Sequence, residues 1–260
     1  MQDILSLNGI KKYLKNSDNY NITILDSVSS TNAFLKQTAF SDNEGKVIIA
    51  LSQTDGRGRF KRHFHSPENC GIYMSILLKP KIPAENAVLI TAAAACAVAE
   101  AAEDLSGRKA DIKWVNDVLI ENKKICGILT EGSIDVNSGN LNWAVLGIGI
   151  NAYLPENGYP EEIKNIAESV FDTEKEDLKN QLTANILDRF WNYYLSLEEK
   201  TFLESYKKRS FFLGNQINVI KNDISVPAKA LDIDDNCHLL VEYQNGEREY
   251  LSSGEISIKL

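Results

Sequence analysis

Apolar positions along this chain fall into three regimes. Through residues 20–151 they come in short runs: Ile22-Thr23-Ile24-Leu25, Val47-Ile48-Ile49-Ala50-Leu51, Gly71-Ile72-Tyr73-Met74-Ser75-Ile76-Leu77-Leu78, Ile112-Lys113-Trp114-Val115 and Trp143 to Asn151. Runs of this length predict strands, and the near-continuous one at 71–78 predicts a strand covered on both faces. Val118-Leu119-Ile120 and Ile125 to Leu129 predict a hairpin around Glu121-Asn122-Lys123-Lys124. Between the strands, Ser30 or Thr31 caps a helix through Ala33 to Lys36, and an alanine-rich helix runs from Glu85 to Leu105 until Gly107 stops it. At the start, Ile4, Leu7, Ile10 and Leu14 mark a short helix.

Residues 161–209 read as helical throughout, with Ile163, Ile166 and Val170 on one face, then Leu178, Leu182, Ile186 and Phe190. Past Gly214 the pattern becomes short alternating segments punctuated by Asp234-Asp235-Asn236 and by Asn245-Gly246, a strong two-residue hairpin signal. The expected organisation is an α+β domain over 1–211, a mixed sheet flanked by helices, followed by a small all-β unit over 212–260. No internal repeat, low-complexity segment or flexible linker interrupts it.

Charge narrows the functional classes. The 260 residues carry a formal net charge of -8, which repels polyanions and disfavours broad binding of DNA or membrane. Cys70, Cys96, Cys126 and Cys237 have no metal-ligand spacing, so reduced thiols and a cytoplasmic location fit best. The most apolar window, 87–102, is too short to span a bilayer, and the N-terminus lacks the pattern of an export signal.

One stretch departs from the acidic background. Gln53-Thr54-Asp55-Gly56-Arg57-Gly58-Arg59-Phe60-Lys61-Arg62 puts three arginines, a lysine and two glycines in ten residues, directly after a predicted strand. Arginine forks pair with carboxylate or phosphate oxygens, and glycine lets backbone N–H groups approach an anion. A solvated loop or a nucleic-acid patch would be the plainer reading of this stretch alone. Lys113 beside Trp114 is either an edge lysine that blocks further strand pairing or a cation awaiting an anion. Gly147 and Gly149 lie on one strand face, which predicts either a ligand ring lying flat on the sheet or close packing of a neighbour.

These residues, in order and spacing, resemble the biotin protein ligases. The resemblance rests on Ser30-Thr31-Asn32, Gln53 with Gly56 to Arg62, Lys113-Trp114-Val115-Asn116-Asp117, Lys124-Ile125-Cys126-Gly127-Ile128-Leu129 and Gly147-Ile148-Gly149-Ile150-Asn151. It implies a class II synthetase-like catalytic domain with a C-terminal SH3-like barrel. It also implies an enzyme that uses ATP and Mg2+ to form biotinyl-5′-adenylate, then transfers biotin to a lysine of a biotin carboxyl carrier protein. The family commonly has proline where Val115 stands, and relatives with a DNA-reading repressor domain carry it before the part matched here, so a ligase without repressor function is expected.

By position in the family, Lys113 and Arg59 are the expected catalytic residues. Ser30, Thr31, Asn32, Gln53, Arg57, Gly58, Gly147 and Gly149 join them around biotin. Arg57, Arg59, Arg62, Asn116 and Asn151 are expected at ATP; metal ligands are not assigned. Exposed sheet edges leave room for a homodimer or a docked carrier strand. A lipoate ligase shares the fold and the adenylation chemistry, and a nucleic-acid-binding protein is the rival from another class.

Overall fold

The computed structural model describes residues 3–221 and 224–258. Seven strands form one mixed sheet: β1 (Asn21–Val28), β2 (Lys46–Gln53), β3 (Gly71–Leu78), β4 (Ala110–Lys113), β5 (Asp117–Ile120), β6 (Lys123–Ile134) and β7 (Leu141–Asn151), in the order β1-β2-β3-β7-β6-β5-β4. Only β1 and β2 pair in parallel; the other pairs of this sheet are antiparallel.

Side-chain alternation divides the sheet into two faces with different work. Val47 and Ile49, Ile72, Met74, Ile76 and Leu78, and Ala144, Leu146, Ile148 and Ile150 enter the main core. There α3 (Ala87–Ser106) packs its alanines against the sheet, and α1 (Leu7–Tyr13), α4 (Leu178–Leu195) and α5 (Leu203–Arg209) complete the cover. Small side chains let α3 approach closely, and thirteen of its residues are buried. Gly107 ends it at φ +71. The opposite face carries Ile48, Leu77, Trp143 and Val145, covered by Leu35 of the short helix α2 (Thr31–Lys36). Toward the N-terminal end of β3 and the C-terminal end of β7 that second face stops being apolar, and the polar and glycine positions begin.

The region read as helical over 161–209 departs from that expectation at its start. Residues 160–177 form turns and an extended stretch, with α4 beginning only at Leu178. The cause is pairing with the sheet: Lys124 N–H donates to the Ile166 carbonyl, Glu168 N–H donates to the Lys124 carbonyl, and Lys124 and Ala167 form a parallel bridge. Backbone groups spent on a strand cannot also close helical turns.

The C-terminal unit is a five-stranded antiparallel sheet, β8 (Gln216–Lys221), β9 (Ile224–Ile233), β10 (Leu239–Tyr243), β11 (Arg248–Leu251) and β12 (Glu255–Ile258), in the order β11-β10-β9-β8-β12. Gly246 at φ +83 makes the expected β10–β11 turn. Trp114 joins the two units: its indole N–H donates to the Cys237 carbonyl at 2.9 Å, and its ring lies 3.8 Å from the Cβ position of Gly254. No helix among the described residues is long and apolar enough to cross a membrane.

Candidate active site

Two cross-strand rows on the α2 face make the floor of the site. Ser75, Gly147 and Leu129 stand side by side in one row, and Tyr73, Gly149 and Gly127 in the next. Above the first row lies the Asn32 carboxamide, whose Oδ1 is 2.2 Å from where a Cβ on Gly147 would stand. Above the second lies the Phe64 ring, 2.6 Å from the Cβ position of Gly149 and 3.3 Å from that of Gly127. The glycines thus make room for two of the protein's own side chains, the close-packing alternative, as well as bordering the cavity.

That cavity gathers Ser30, Thr31, Asn32, Gln53, Arg57, Gly58, Arg59, Asn116, Gly147 and Gly149. Its free space is about 50 Å³, well below the roughly 300–1,000 Å³ of pockets that hold drug-sized ligands. Phe64 fills much of the place between the floor and the stretch at Arg57, Gly58 and Arg59, so entry of a bicyclic ligand requires this ring to move. By position in the family that stretch is expected to close over the ligand as a lid.

Three residues expected at the site stand elsewhere. Lys113 lies on β4, the edge strand of the sheet, and lines neither this cavity nor the cleft beside it. Asn151 also lines neither; its amide donates to the carbonyls of Lys124 at 3.2 Å and Glu168 at 3.1 Å. Arg62 reaches away to the C-terminal unit, where its guanidinium meets both carboxylate oxygens of Glu255 at 2.8 and 2.7 Å.

The cation that does line the cavity is Lys124. Simple alternation along β6 would put Lys124 on the core face with Cys126 and Ile128. A β-bulge intervenes: Val118 pairs with Cys126 but Leu119 pairs with Lys124, leaving Ile125 as the extra residue. The bulge turns Lys124 onto the face of Gly127, whose Cβ position is 3.0 Å from Lys124 Cε and Nζ. Lys124 Nζ is 2.7 Å from Asp117 Oδ1, which also accepts from Asn116 Nδ2 at 3.0 Å. Arg59 completes the network by donating to Asn116 Oδ1 at 3.1 Å. Burial lowers the Arg59 guanidinium below its ordinary value, against the opposing charges of Asp117 and Glu255.

The arginine stretch is a narrow hairpin. Its rungs are Gln53 N–H to the Ser66 carbonyl, Phe64 N–H to Gly56 and Gly58 N–H to Arg62, closed by a short 3₁₀ turn at Arg59–Lys61. Gly56 is required because a Cβ there would stand 2.4 Å from the Phe64 carbonyl. Phe60 and Lys61 hold left-handed φ of 55 and 59 at the tip, a conformation unfavourable for residues other than glycine.

At the other end of the cavity Thr31, Asn32 and Gln53 are uncharged, while Arg57 adds a further cation to the lining. Gln53 Oε1 accepts from Thr31 N–H at 2.9 Å, and Asn32 Nδ2 donates to Glu131 at 2.9 Å. Burial would raise the Glu131 carboxyl, but Lys36 and Asn32 outweigh it and hold the group below its ordinary value. Ser30 serves as the α2 N-cap, accepting from Ala33 N–H. A second, larger cleft of about 610 Å³ adjoins the cavity across Arg59, Ile128 and Leu129, and its far wall includes Asn236, His238, Ser252 and Ser253 of the C-terminal unit.

Among the described residues no group of three or more His, Cys, Asp or Glu is placed to hold a metal. These side chains therefore do not build a cage for Mg2+, an ion that ordinarily retains waters and binds substrate phosphates.

Residues 24–151 match the biotin/lipoate A/B protein ligase family and residues 212–259 the biotin protein ligase C-terminal domain. Over 236 residues the chain is 34% identical to the bifunctional ligase/repressor BirA of Bacillus subtilis, covering 88% of this chain and 71% of that protein. It is 27% identical to the biotin–[acetyl-CoA-carboxylase] ligase of Mycobacterium tuberculosis, covering 90% of this chain and 88% of that one. The Aquifex aeolicus biotin protein ligase in complex with biotin and ATP superposes with a TM-score of 0.75 at 26% identity, over 92% of this chain and 98% of that chain.

Proposed function

Because the chain belongs to the biotin protein ligase family, we propose that it activates biotin with ATP and transfers it to a lysine of a biotin carboxyl carrier protein. The observation that carries this reading is the polarity of one cavity. Lys124 and Arg59 stand at one end and the uncharged Thr31 and Gln53 at the other, with Arg57 a third cation on the lining. Such a cavity suits a ligand with a carboxylate on one side and a neutral, hydrogen-bonding ring on the other.

In the first step a biotin carboxylate oxygen attacks the α-phosphorus of ATP and pyrophosphate leaves. Two anions must be pressed together, and Lys124 and Arg59 offset their repulsion. A charge-assisted hydrogen bond contributes about 1.5–3 kcal/mol, and more where charge develops in a water-poor site. Asp117 holds Lys124 at 2.7 Å before substrate arrives, so the incoming carboxylate takes over a prepared partner. In the second step the acceptor amine attacks the carboxyl carbon, the carbon–oxygen bond to AMP breaks, and an amide forms. The larger cleft beyond Arg59 is the approach for that acceptor. Mg2+, for which the described side chains build no cage, would arrive with ATP and would supply charge neutralisation to the phosphates.

Thr31 and Gln53 argue against lipoate, whose dithiolane ring has no N–H or carbonyl to meet them. The test is biotin-dependent exchange of labelled pyrophosphate into ATP by the purified chain, with lipoate in parallel. Exchange with biotin and not lipoate is expected; selective activation of lipoate contradicts the reading.

A further inference from the structure

Two serines that do not form the catalytic cation cluster fix the direction of hydrogen bonding at the neutral end of the cavity. Ser75 is fully buried in β3, the one polar side chain in that strand's buried run apart from the Tyr73 hydroxyl. Its Oγ lies 2.6 Å from Asn32 Oδ1 and 2.7 Å from Thr31 Oγ1.

The protons in this chain have one consistent arrangement. The Leu129 carbonyl and the Glu131 carboxylate accept only, so Asn32 turns its Nδ2 toward them, at 3.2 and 2.9 Å. Asn32 Oδ1 therefore faces Ser75. Because Oδ1 has no proton, the 2.6 Å bond uses the single proton of Ser75. The 2.7 Å contact between the hydroxyls must then use the proton of Thr31. Gln53 Oε1, 3.2 Å from Thr31 Oγ1, is already supplied by Thr31 N–H at 2.9 Å. Thr31 is left with lone pairs and no free proton for the cavity it lines.

Gln53 is set in the opposite sense. The Phe64 carbonyl takes the proton of Ser66, so Gln53 Nε2 donates to Ser66 Oγ, at 2.9 Å in both cases. Its second Nε2 proton is the one left for a ligand.

We propose that Ser75 is a specificity-determining positioning residue: it makes Thr31 an obligate acceptor beside Gln53 as a donor, so the cavity admits a ring that presents an N–H and a carbonyl together. This rests on the biotin reading, since the ureido group offers that pair and its N–H groups are the donors of ionised biotin. Ser75 acts through Thr31 and touches no ligand.

The test compares dissociation constants of biotin and of its two cyclic carbamate analogues, in which a ring oxygen replaces one or the other ureido N–H, measured by calorimetry on the full chain. Wild type should reject one analogue by roughly 100-fold, since a ring oxygen opposed to the Thr31 oxygen leaves both unpaired. Ser75→Ala frees the Thr31 hydroxyl to turn and donate, so this ratio should shrink at least tenfold while the unfolding temperature stays within a few degrees. Thr31→Val, which keeps the shape and removes the oxygen, should abolish the preference, and it decides the matter if Ser75→Ala does not fold. Equal weakening toward biotin and analogue in Ser75→Ala, an undiminished ratio in Thr31→Val, or binding of biotin by wild type without discrimination overturns the inference. Failure of wild type to bind biotin at all overturns instead the functional reading beneath it.

Discussion

Glu131 shows how far a side chain outside the reaction can reach into recognition. Its carboxylate holds Lys36 at 2.6 Å and the Asn32 amide at 2.9 Å, and through Asn32 it orients Ser75. Its folded value is held below the ordinary 4.5, so its contribution is present above that pH and is lost as pH falls through the lower folded value. Biotin affinity, followed by calorimetry, should hold as pH falls to 4.5 and drop only below it; Glu131→Gln should flatten this acidic limb. Asn151 works on the reaction from behind, by holding the carbonyl of Lys124. Asn151→Ala should slow pyrophosphate exchange by roughly tenfold, about one to two lost hydrogen bonds, and leave the affinity for ATP unchanged.

At the scale of elements, the lid and the β5–β6 bulge decide what the cavity can do. The lid is tied to another unit of the chain through Arg62 and Glu255, while its closing turn carries Arg59 into the charge network. Glu255→Ala should release this tie, raising hydrogen exchange at residues 58–62 with little change in thermal stability, because an exposed ion pair contributes only about 0–1 kcal/mol. Arg59→Gly should let the activated biotin escape, seen as labelling of unrelated proteins; full retention of the intermediate would contradict the lid's role.

Much of this level was legible in the amino-acid pattern. The apolar runs located all seven large-sheet strands, with β4 ending at Lys113 and not running on through Val115, Gly107 marked a helix end, and the glycine–arginine stretch marked the lid. The misplacements come from pairing and hydrogen bonding that the apolar pattern does not carry. Lys124 was hidden because its orientation depends on an extra residue at Ile125 that only pairing with β5 creates. Residues 160–177 have helical spacing, but their N–H and carbonyl groups are drawn to Lys124. Asn151 closes a glycine-bearing strand in a motif, yet its amide is consumed by carbonyls distant in sequence.

Across the whole molecule, the C-terminal sheet bears on the active site through one short segment. Trp114 is held by the Cys237 carbonyl and Val115 by the buried Tyr206 hydroxyl at 3.1 Å. The next two residues, Asn116 and Asp117, hold Arg59 and Lys124. The two units therefore share the work of setting the cation cluster, on which the central claim rests: Lys124, turned inward by the bulge, is the cation that lets biotin meet ATP. The most direct measurement is biotin-dependent pyrophosphate exchange in wild type, Lys124→Ala and Lys113→Ala side by side. Loss of roughly 100-fold or more in Lys124→Ala, with Lys113→Ala near wild type, is the predicted result; near-normal exchange in Lys124→Ala would contradict the account.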